Sequence, residues 1–404
     1  MTNTHPEPDV GVHAFAHAPM ANCPFMPVFG PPAIMFDRGS GTELWDSTGK
    51  RYLDFLSGIA VVSLGHSNPA VAEAVGDQLE RLLHVSNFFA NPVATEAAVR
   101  INDLLLDATG HRGQIFFTNS GAESNECAIK LARKHGGRGR HTVVSALGSF
   151  HGRTLATLAA TGQPAKQATF QPLPPGFAQV PPGSIDALAE AVDETVAAVM
   201  LETTQGEGGV RPLSEEYLQA VRRLCDERGA VLIVDDVQAG MGRTGTWFSW
   251  QQLGFTPDIA TTAKALANGL PIGVCMATEE AASAFQPGDH ATTFGGGPVV
   301  CAAALAVIDE IESRDLLANC QERSTQLMGR LADLPGVKAV RGRGLLVAAQ
   351  LGDAVAGSVA SRALTEHHLV INAVRPDAVR LAPPLTVSAS EIDEAVERLA
   401  AAMT

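Results

Sequence analysis

Lysine is scarce in this chain of 404 residues: there are six, Lys50, Lys130, Lys134, Lys166, Lys264 and Lys338. Cations as a class are outnumbered, and the formal net charge is −14. That balance argues against nucleic acid or an anionic membrane as partner. No apolar run is long enough to span a bilayer as a helix. The first residues, MTNTHPEPDVGVHAFAHAP, lack a basic segment followed by an apolar core, so no signal peptide is expected. Residues 1–24 read as a mobile tail whose histidines lack an ordered partner set for a metal. The six cysteines show no zinc-ligand spacing and most sit in helical or strand-like apolar context, where reduced, buried thiols are expected. The expected compartment is the cytoplasm, with no metal site.

Hydrophobic residues make up 46% and charged residues 18%, ordinary for a globular protein large enough for two domains. No repeat or low-complexity block interrupts the chain. QIFFTNS, HTVVSA, AAVMLE, VLIVDD and IATTAK are short apolar runs next to helix patterns, such as Pro69 to His84 and AESNECAIKLARKH. Runs without polar alternation suit strands buried on both faces. The expected class is α/β, with a mostly parallel sheet flanked by helices over residues 56–292. From about Thr293 the texture changes. A helix from Pro298 to about Arg330, then GVKAVRGRGLLVAAQL, LVIN, AVRLAPPL and a last helix opened by SASE predict a smaller α+β domain over 293–404. Residues 25–55, with GTELWDSTGKRYLDF as a hairpin, are expected to pack with it.

Five lysines have bland settings: Lys166, for example, lies in a loop, QPAKQ. Lys264 differs. It follows a predicted strand among small and apolar residues, in IATTAKALANGLP, with no local acid. Such a lysine either snorkels or is reactive, and a dry site lowers its proton affinity. Asp235 ends another apolar run, 29 residues earlier. In doubly wound sheets ligands sit beyond the carboxyl ends of strands. Pyridoxal phosphate chemistry needs this pair: a lysine for the Schiff base and a carboxylate for the pyridinium nitrogen. NSGAESNE, with Ser120, Gly121 and Ala122, offers a helix start for the phosphate, or else a plain strand-to-helix turn with a serine cap. Gly240, Gly242 and Gly245 form a formal G-x-G-x-x-G, but no helix or well-placed acid follows, so they read as a loop.

The motifs LSGIAVVSLGHSNPAV, HVSNFFANP, FFTNSGAESNE, SFHGRTLATLAATGQP, LETTQGEGGV, VLIVDDVQAGMGRTG, TPDIATTAKAL, DHATTFGGGP and VRLAPPL, in this order, resemble the class III pyridoxal phosphate aminotransferases of fold type I. HVSNFFANP resembles their acetylornithine and ornithine branch. The resemblance implies that Lys264 holds pyridoxal 5'-phosphate and shuttles a proton. It implies that Asp235 pairs the ring nitrogen and Gln238 lies on the phenolic oxygen side. Phe150 would stack on the ring; core packing is the alternative. Gly121 and Ala122 would give backbone donors to the phosphate, and Thr293 would reach it from the neighbouring subunit of a homodimer. Glu202 would make a polar contact near Gln238, or simply end a strand. Arg153 would clamp the carboxylate distant from the reacting amine. Glu207 would mask Arg380 until a 2-oxoglutarate or glutamate α-carboxylate displaces it; alone, Arg380 reads as a strand-end surface arginine.

Four positions depart from the family pattern: Asp236 stands for Glu, Thr203 for Pro, Gly297 for Asn, and Ala267 in a glycine-rich turn. The activity expected is transfer of the terminal amine of N2-acetylornithine to 2-oxoglutarate, in arginine biosynthesis. Another ω-aminotransferase (on ornithine, succinylornithine, a lysine-pathway intermediate or 4-aminobutyrate) is the alternative, and after it a mutase or epimerase on the same cofactor. A non-catalytic binding module would require Lys264 to be incidental.

Overall fold

A computed structural model of the chain describes residues 25–404, residue 31 excepted. The 1–24 tail and Cys23 lie outside the described residues. Three antiparallel strands come first: β1 (Phe36–Ser40), β2 (Glu43–Asp46) and β3 (Arg51–Asp54). The hairpin expected in GTELWDSTGKRYLDF is β2–β3. Asp46 Oδ1 holds its turn by accepting from the Thr48 and Lys50 amides at 2.9 and 3.0 Å, as short polar side chains do in turns.

The central sheet has seven strands: β4 (Gly113–Thr118), β5 (Thr142–Ala146), β6 (Phe177–Val180), β7 (Val196–Leu201), β10 (Val231–Asp235), β11 (Ile259–Thr262) and β12 (Gly273–Thr278). A short ribbon, β8 (Thr204–Gln205) with β9 (Arg211–Pro212), follows β7. The lateral order is β4-β12-β11-β10-β7-β5-β6, and every pairing is parallel except the two made by β12. All residues of β7 and β10 are buried, because helices cover both faces of a parallel sheet. Asp235 pairs in register with Thr261. The carboxyl end of β10 and the start of the Lys264 turn are therefore neighbours.

Beyond it, β13 (Val337–Arg343), β14 (Leu346–Leu351), β16 (Asn372–Arg375) and β17 (Ala378–Leu381) form an antiparallel sheet in the order β13-β14-β17-β16. Helices Leu316–Ala332 and Ala356–Thr365 pack on it, and Ala389–Met403 packs on those two helices. The two-residue strand β15 (Leu369–Val370) instead joins β3 in parallel, tying the N-terminal strands to the C-terminal third.

Three boundaries differ from expectation. The helix from Pro69 ends at Leu79, not His84; Leu79 and Leu83 are exposed, so no apolar face remains to bury past that point. The long helix from Pro298 is two, Pro298–Ser313 and Leu316–Ala332. It breaks at Asp315, whose φ of 48° is left-handed, a conformation short polar side chains tolerate. The first of the two packs on the helices Pro69–Leu79 and Pro92–Thr109 and on the Lys264 turn. Strand β16 was not anticipated, being half-exposed and short.

The glycine loop at 240–245 is a turn with no helix behind it. It delivers Arg243, fully buried, to the carbonyls of Leu345 and Pro383 and to Ser63 Oγ, so its side chain joins segments from both ends of the chain. The last helix opens with the capping box expected from SASE: Ser388 Oγ accepts from the Glu391 amide, and Glu391 accepts from the Ser388 amide at 2.7 Å. Ser388→Ala is expected to lower unfolding stability by about 1 kcal/mol, read as a lower urea midpoint with unchanged slope.

Candidate active site

Asp235 is 4% exposed, and three donors converge on its carboxylate. Oδ2 accepts from Asn125 Nδ2 and from His151 Nδ1, both at 2.8 Å, and Oδ1 accepts from the Val237 amide at 3.1 Å. Asn125 stands on helix Gly121–Gly136 and also donates to the His151 carbonyl at 2.8 Å, while its Oδ1 accepts from Thr261 Oγ1 at 2.7 Å. One amide thus joins the helix, the loop after β5, β10 and β11. Burial would push the His151 imidazole down, but the hydrogen bond to and charge of Asp235 outweigh it and raise its proton affinity. Neither Asn125 nor His151 stands out in the sequence. The only signal was their position inside SGAESNE and SFHGRT.

Lys264 opens a short 3₁₀ turn after β11, at φ 42°. A non-glycine residue in that region costs about 1–3 kcal/mol and persists only where its surroundings over-determine it. Here Asn268 closes the turn by accepting from the Leu64 amide at 2.8 Å and donating to the Gly65 carbonyl at 3.0 Å. Burial holds the Lys264 ammonium below its ordinary range, against the opposing charge of Asp235. No ion pair among the described residues includes it.

Both side chains line one cavity of about 410 Å³, together with Ser120, Gly121, Ala122, Phe150, Arg153, Glu202, Glu207 and Gln238. That volume suits a small cofactor with part of a substrate. Ser120 caps helix Gly121–Gly136 by accepting from the Glu123 amide at 3.2 Å. The amides of Gly121 and Ala122 have no acceptor among the described residues, which leaves an anion-ready helix end at the cavity wall. A Cβ on Gly121 would stand 2.6 Å from Val237 Cγ1, so glycine lets this helix start lie against the loop after β10. A dry lysine, a buried carboxylate and free helix-end amides together fit a phosphorylated pyridine aldehyde.

Glu202 accepts from the Phe150 amide at 3.0 Å and the Gly206 amide at 3.3 Å. Burial pushes its carboxyl up to about 7, His151 opposing and Asp235 adding to the effect. Gln238 lies across Gly206, where an added Cβ would fall 1.5 Å from its Oε1. Arg380, on β17, is 1% exposed and donates from Nη1 to Glu207 Oε1 at 2.7 Å and from Nε to Asn372 Oδ1 at 3.1 Å. Its Nη2 is buried without an acceptor. Burial would raise the Glu207 carboxyl, but the Arg380 charge and hydrogen bond hold it below the usual range. Glu207 lines the cavity and Arg380 does not. Arg153 is exposed at the rim, its guanidinium 5.7 Å from the Phe150 ring centroid. Thr293 lies elsewhere, exposed beside a separate groove with His84 and Asn87.

Asp236, the neighbour of Asp235, is fully buried. Its Oδ2 accepts from the Ser249 amide at 3.0 Å and its Oδ1 has no partner. Thr203 Oγ1 donates to Ser249 Oγ at 2.6 Å, so two of the departures from the family pattern meet at one serine. Burial pushes the Asp236 carboxyl up to about 7; Ser249 opposes this in part and Asp235 adds to it. A raised folded-state pKa means stability is lost as pH climbs from the unfolded value near 4 to about 7. Asp236→Asn keeps the acceptor and removes the titration. Its stability relative to wild type should be more favourable at pH 8 than at pH 5 by roughly 2 kcal/mol, in urea melts at each pH. An equal difference at both would show that Asp236 does not ionise in this range.

The family profile "Aminotransferase class-III" matches residues 27–403. An acetylornithine aminotransferase of Gloeobacter violaceus is 47% identical over 90% of this chain and 92% of its own. One of Streptomyces coelicolor is 45% identical over 93% and 91%. The crystal structure of an N-acetylornithine aminotransferase from Stenotrophomonas maltophilia superposes with a TM-score of 0.79 at 34% identity, covering 93% of this chain and 96% of that one. An ornithine aminotransferase from Toxoplasma gondii reaches 0.87 at 30% identity, covering 95% and 92%. The chain belongs to the class III aminotransferases.

Proposed function

We propose that this protein is a pyridoxal phosphate-dependent aminotransferase that moves the terminal amine of N2-acetylornithine to 2-oxoglutarate. The products are N-acetylglutamate semialdehyde and glutamate, and the step belongs to arginine biosynthesis. The reading is carried by the Glu207–Arg380 pair beside the Lys264 cavity, with support from the names of the relatives at 45–47% identity.

Pyridoxal phosphate, when bound, supplies an electron-accepting ring that stabilises the carbanion left when the amine-bearing carbon loses its proton. Lys264 would hold it, and Asp235, oriented by Asn125 and His151, would keep its ring nitrogen protonated. Ser120, Gly121 and Ala122 would take the phosphate, Phe150 would cover the ring, and Gln238 and Glu202 would flank its oxygen side. Lys264 Nζ, with its proton affinity lowered by burial, is suited to take up and return a proton. Arg153 at the rim would fork onto the carboxylate at the far end of the acetylated donor. During that half-reaction Glu207 neutralises Arg380 and leaves room for an uncharged methylene. In the other half, the α-carboxylate of 2-oxoglutarate takes the place of Glu207 and engages both Arg380 amino groups, including Nη2.

Thr293 would serve the phosphate of a neighbouring subunit, making the active form a homodimer. Phe88, Phe89 and Phe294 support this: they are 94%, 67% and 66% exposed near that threonine, an apolar surface a monomer rarely leaves bare. Residues 56–292 would form the large cofactor-binding domain. Residues 293–404, with 25–55 packed on them, would form the smaller one. No helix among the described residues is long and apolar enough to cross a membrane, and we place the enzyme in the cytoplasm.

Purified protein should carry a yellow chromophore that Lys264→Ala abolishes; colourless protein that cannot be reconstituted would sink the cofactor assignment. In a panel of donors with 2-oxoglutarate, N2-acetylornithine should exceed free ornithine by at least about tenfold in kcat/KM. Equal turnover of the two would move the assignment to another ω-aminotransferase. Glu207→Gln should expose Arg380: kcat/KM for N2-acetylornithine falls about tenfold while KM for 2-oxoglutarate does not rise.

A further inference from the structure

Beside the Lys264 cavity lies a second, open one of about 480 Å³, lined by Lys166, Arg211, Arg375, Gly148, Gly162 and Gly208. The two share a wall. The Lys166 ammonium is 5.2 Å from the centroid of the Phe150 ring, which lines the first cavity, and Gly208 follows Glu207 in the chain. Neither Arg211 nor Arg375 makes an ion pair or side-chain hydrogen bond among the described residues, and both are exposed. Arg341 stands behind them. It donates from Nε to the Gly209 carbonyl at 2.8 Å and from Nη1 to Gln350 Oε1 at 3.1 Å. Burial lowers its proton affinity, and the charges of Arg211 and Arg375 lower it further. Two acids face this group: Asp377, which accepts from Gln350 Nε2 at 3.0 Å and whose charge opposes the lowering at Arg341, and Glu207, which is bound to Arg380 and whose charge also acts on Lys166. Two guanidinium groups and an ammonium therefore line one mouth, with the Arg341 guanidinium behind them, in a protein whose net charge is −14.

We propose that this cavity is a docking site for a small dicarboxylate, which Arg211, Arg375 and Lys166 hold before it passes to the Lys264 cavity. Arg211 and Arg375, held together with no ion pair of their own among the described residues, lower the potential energy of an arriving dianion and raise its local concentration. The geometry also couples the site to the pair inside. Gly209 sits at φ 108°, where a Cβ would lie 2.8 Å from Arg375 Cγ and 3.3 Å from Arg341 Nη2. The loop carrying Glu207 is thus packed directly on the arginines that would meet the anion. The aminotransferase reading enters only in identifying the physiological dicarboxylate as 2-oxoglutarate or glutamate.

The test is equilibrium dialysis of labelled succinate, a non-reacting dicarboxylate, against the holoenzyme at low ionic strength. Wild type should bind two succinates per chain. Arg211→Ser/Arg375→Ser should bind one, and Arg153→Ala should keep the one that the double variant loses. Both arginines are exposed, so folding is not at stake. Equal numbers of succinate bound by wild type and by the double variant overturn the proposal. In turnover, the double variant should show kcat/KM for 2-oxoglutarate about 5–10-fold lower, kcat within about twofold, and a flatter dependence on salt. An inactive wild type would refute the aminotransferase reading alone, because dialysis still decides the docking site.

Discussion

The arrangement of the site depends on the burial of one carboxylate, Asp235. Removing such a group from water costs several kcal/mol unless partners replace its hydration. The three donors that do so come from different parts of the chain: helix Gly121–Gly136, the loop after β5, and the turn after β10. Satisfying one side chain therefore fixes the relative positions of the helix start that faces an anion, the loop carrying Phe150, and the strand next to Lys264. Asn125 strengthens the tie, because its own carbonyl oxygen is held by Thr261 on β11. A cationic ring nitrogen beside this carboxylate would meet an acceptor whose direction is already set, and no reorganisation would be needed on binding.

A second buried charge has the opposite character. Arg380 is as inaccessible as Asp235, yet one of its amino groups has no partner and its main counter-ion, Glu207, stands on a loop between two short strands. A buried guanidinium cannot be left bare without a cost of several kcal/mol. Whatever displaces Glu207 must itself be anionic and must reach past it. This limits the groups that can exchange with Glu207 to carboxylates and their isosteres, and it makes the exchange two-state. The fixed carboxylate and the exchangeable ion pair divide the work of the site between holding and selecting.

The parallel core was legible because buried strands leave uninterrupted apolar runs, and VLIVD and VAAVML are such runs. The helix start at Gly121 and the capping box at Ser388 were legible because caps are local. Lys264 could be picked out because the chain has so few lysines and this one lacks a local acid. Asn125 and His151 left no such mark. Their importance comes from contacts 110 and 84 residues away in the chain, and no local pattern reports a contact of that range. The break at Asp315 and the early end at Leu79 escaped for a related reason: helix length is decided by what remains to be covered, a tertiary property. Lys166, read from its setting as a bland loop lysine, stands in a short helix at the junction of two cavities.

Charge organises the outer part of the molecule as burial organises the inner part. An acidic protein repels the acidic compounds an aminotransferase must collect, and screening at physiological salt leaves only the last ~8 Å of approach to local groups. At that distance the sign is reversed by Arg153, Lys166, Arg211 and Arg375 at the openings of the two cavities, with Arg380 buried behind Glu207. The inward ordering is from exposed and unpaired, through half-buried, to buried and paired. Each step inward offers an anion a drier and more strongly interacting partner, and only the last requires a protein carboxylate to give way. The same gradient explains how cations can be few in the chain and still dominate the one region where an anion must enter.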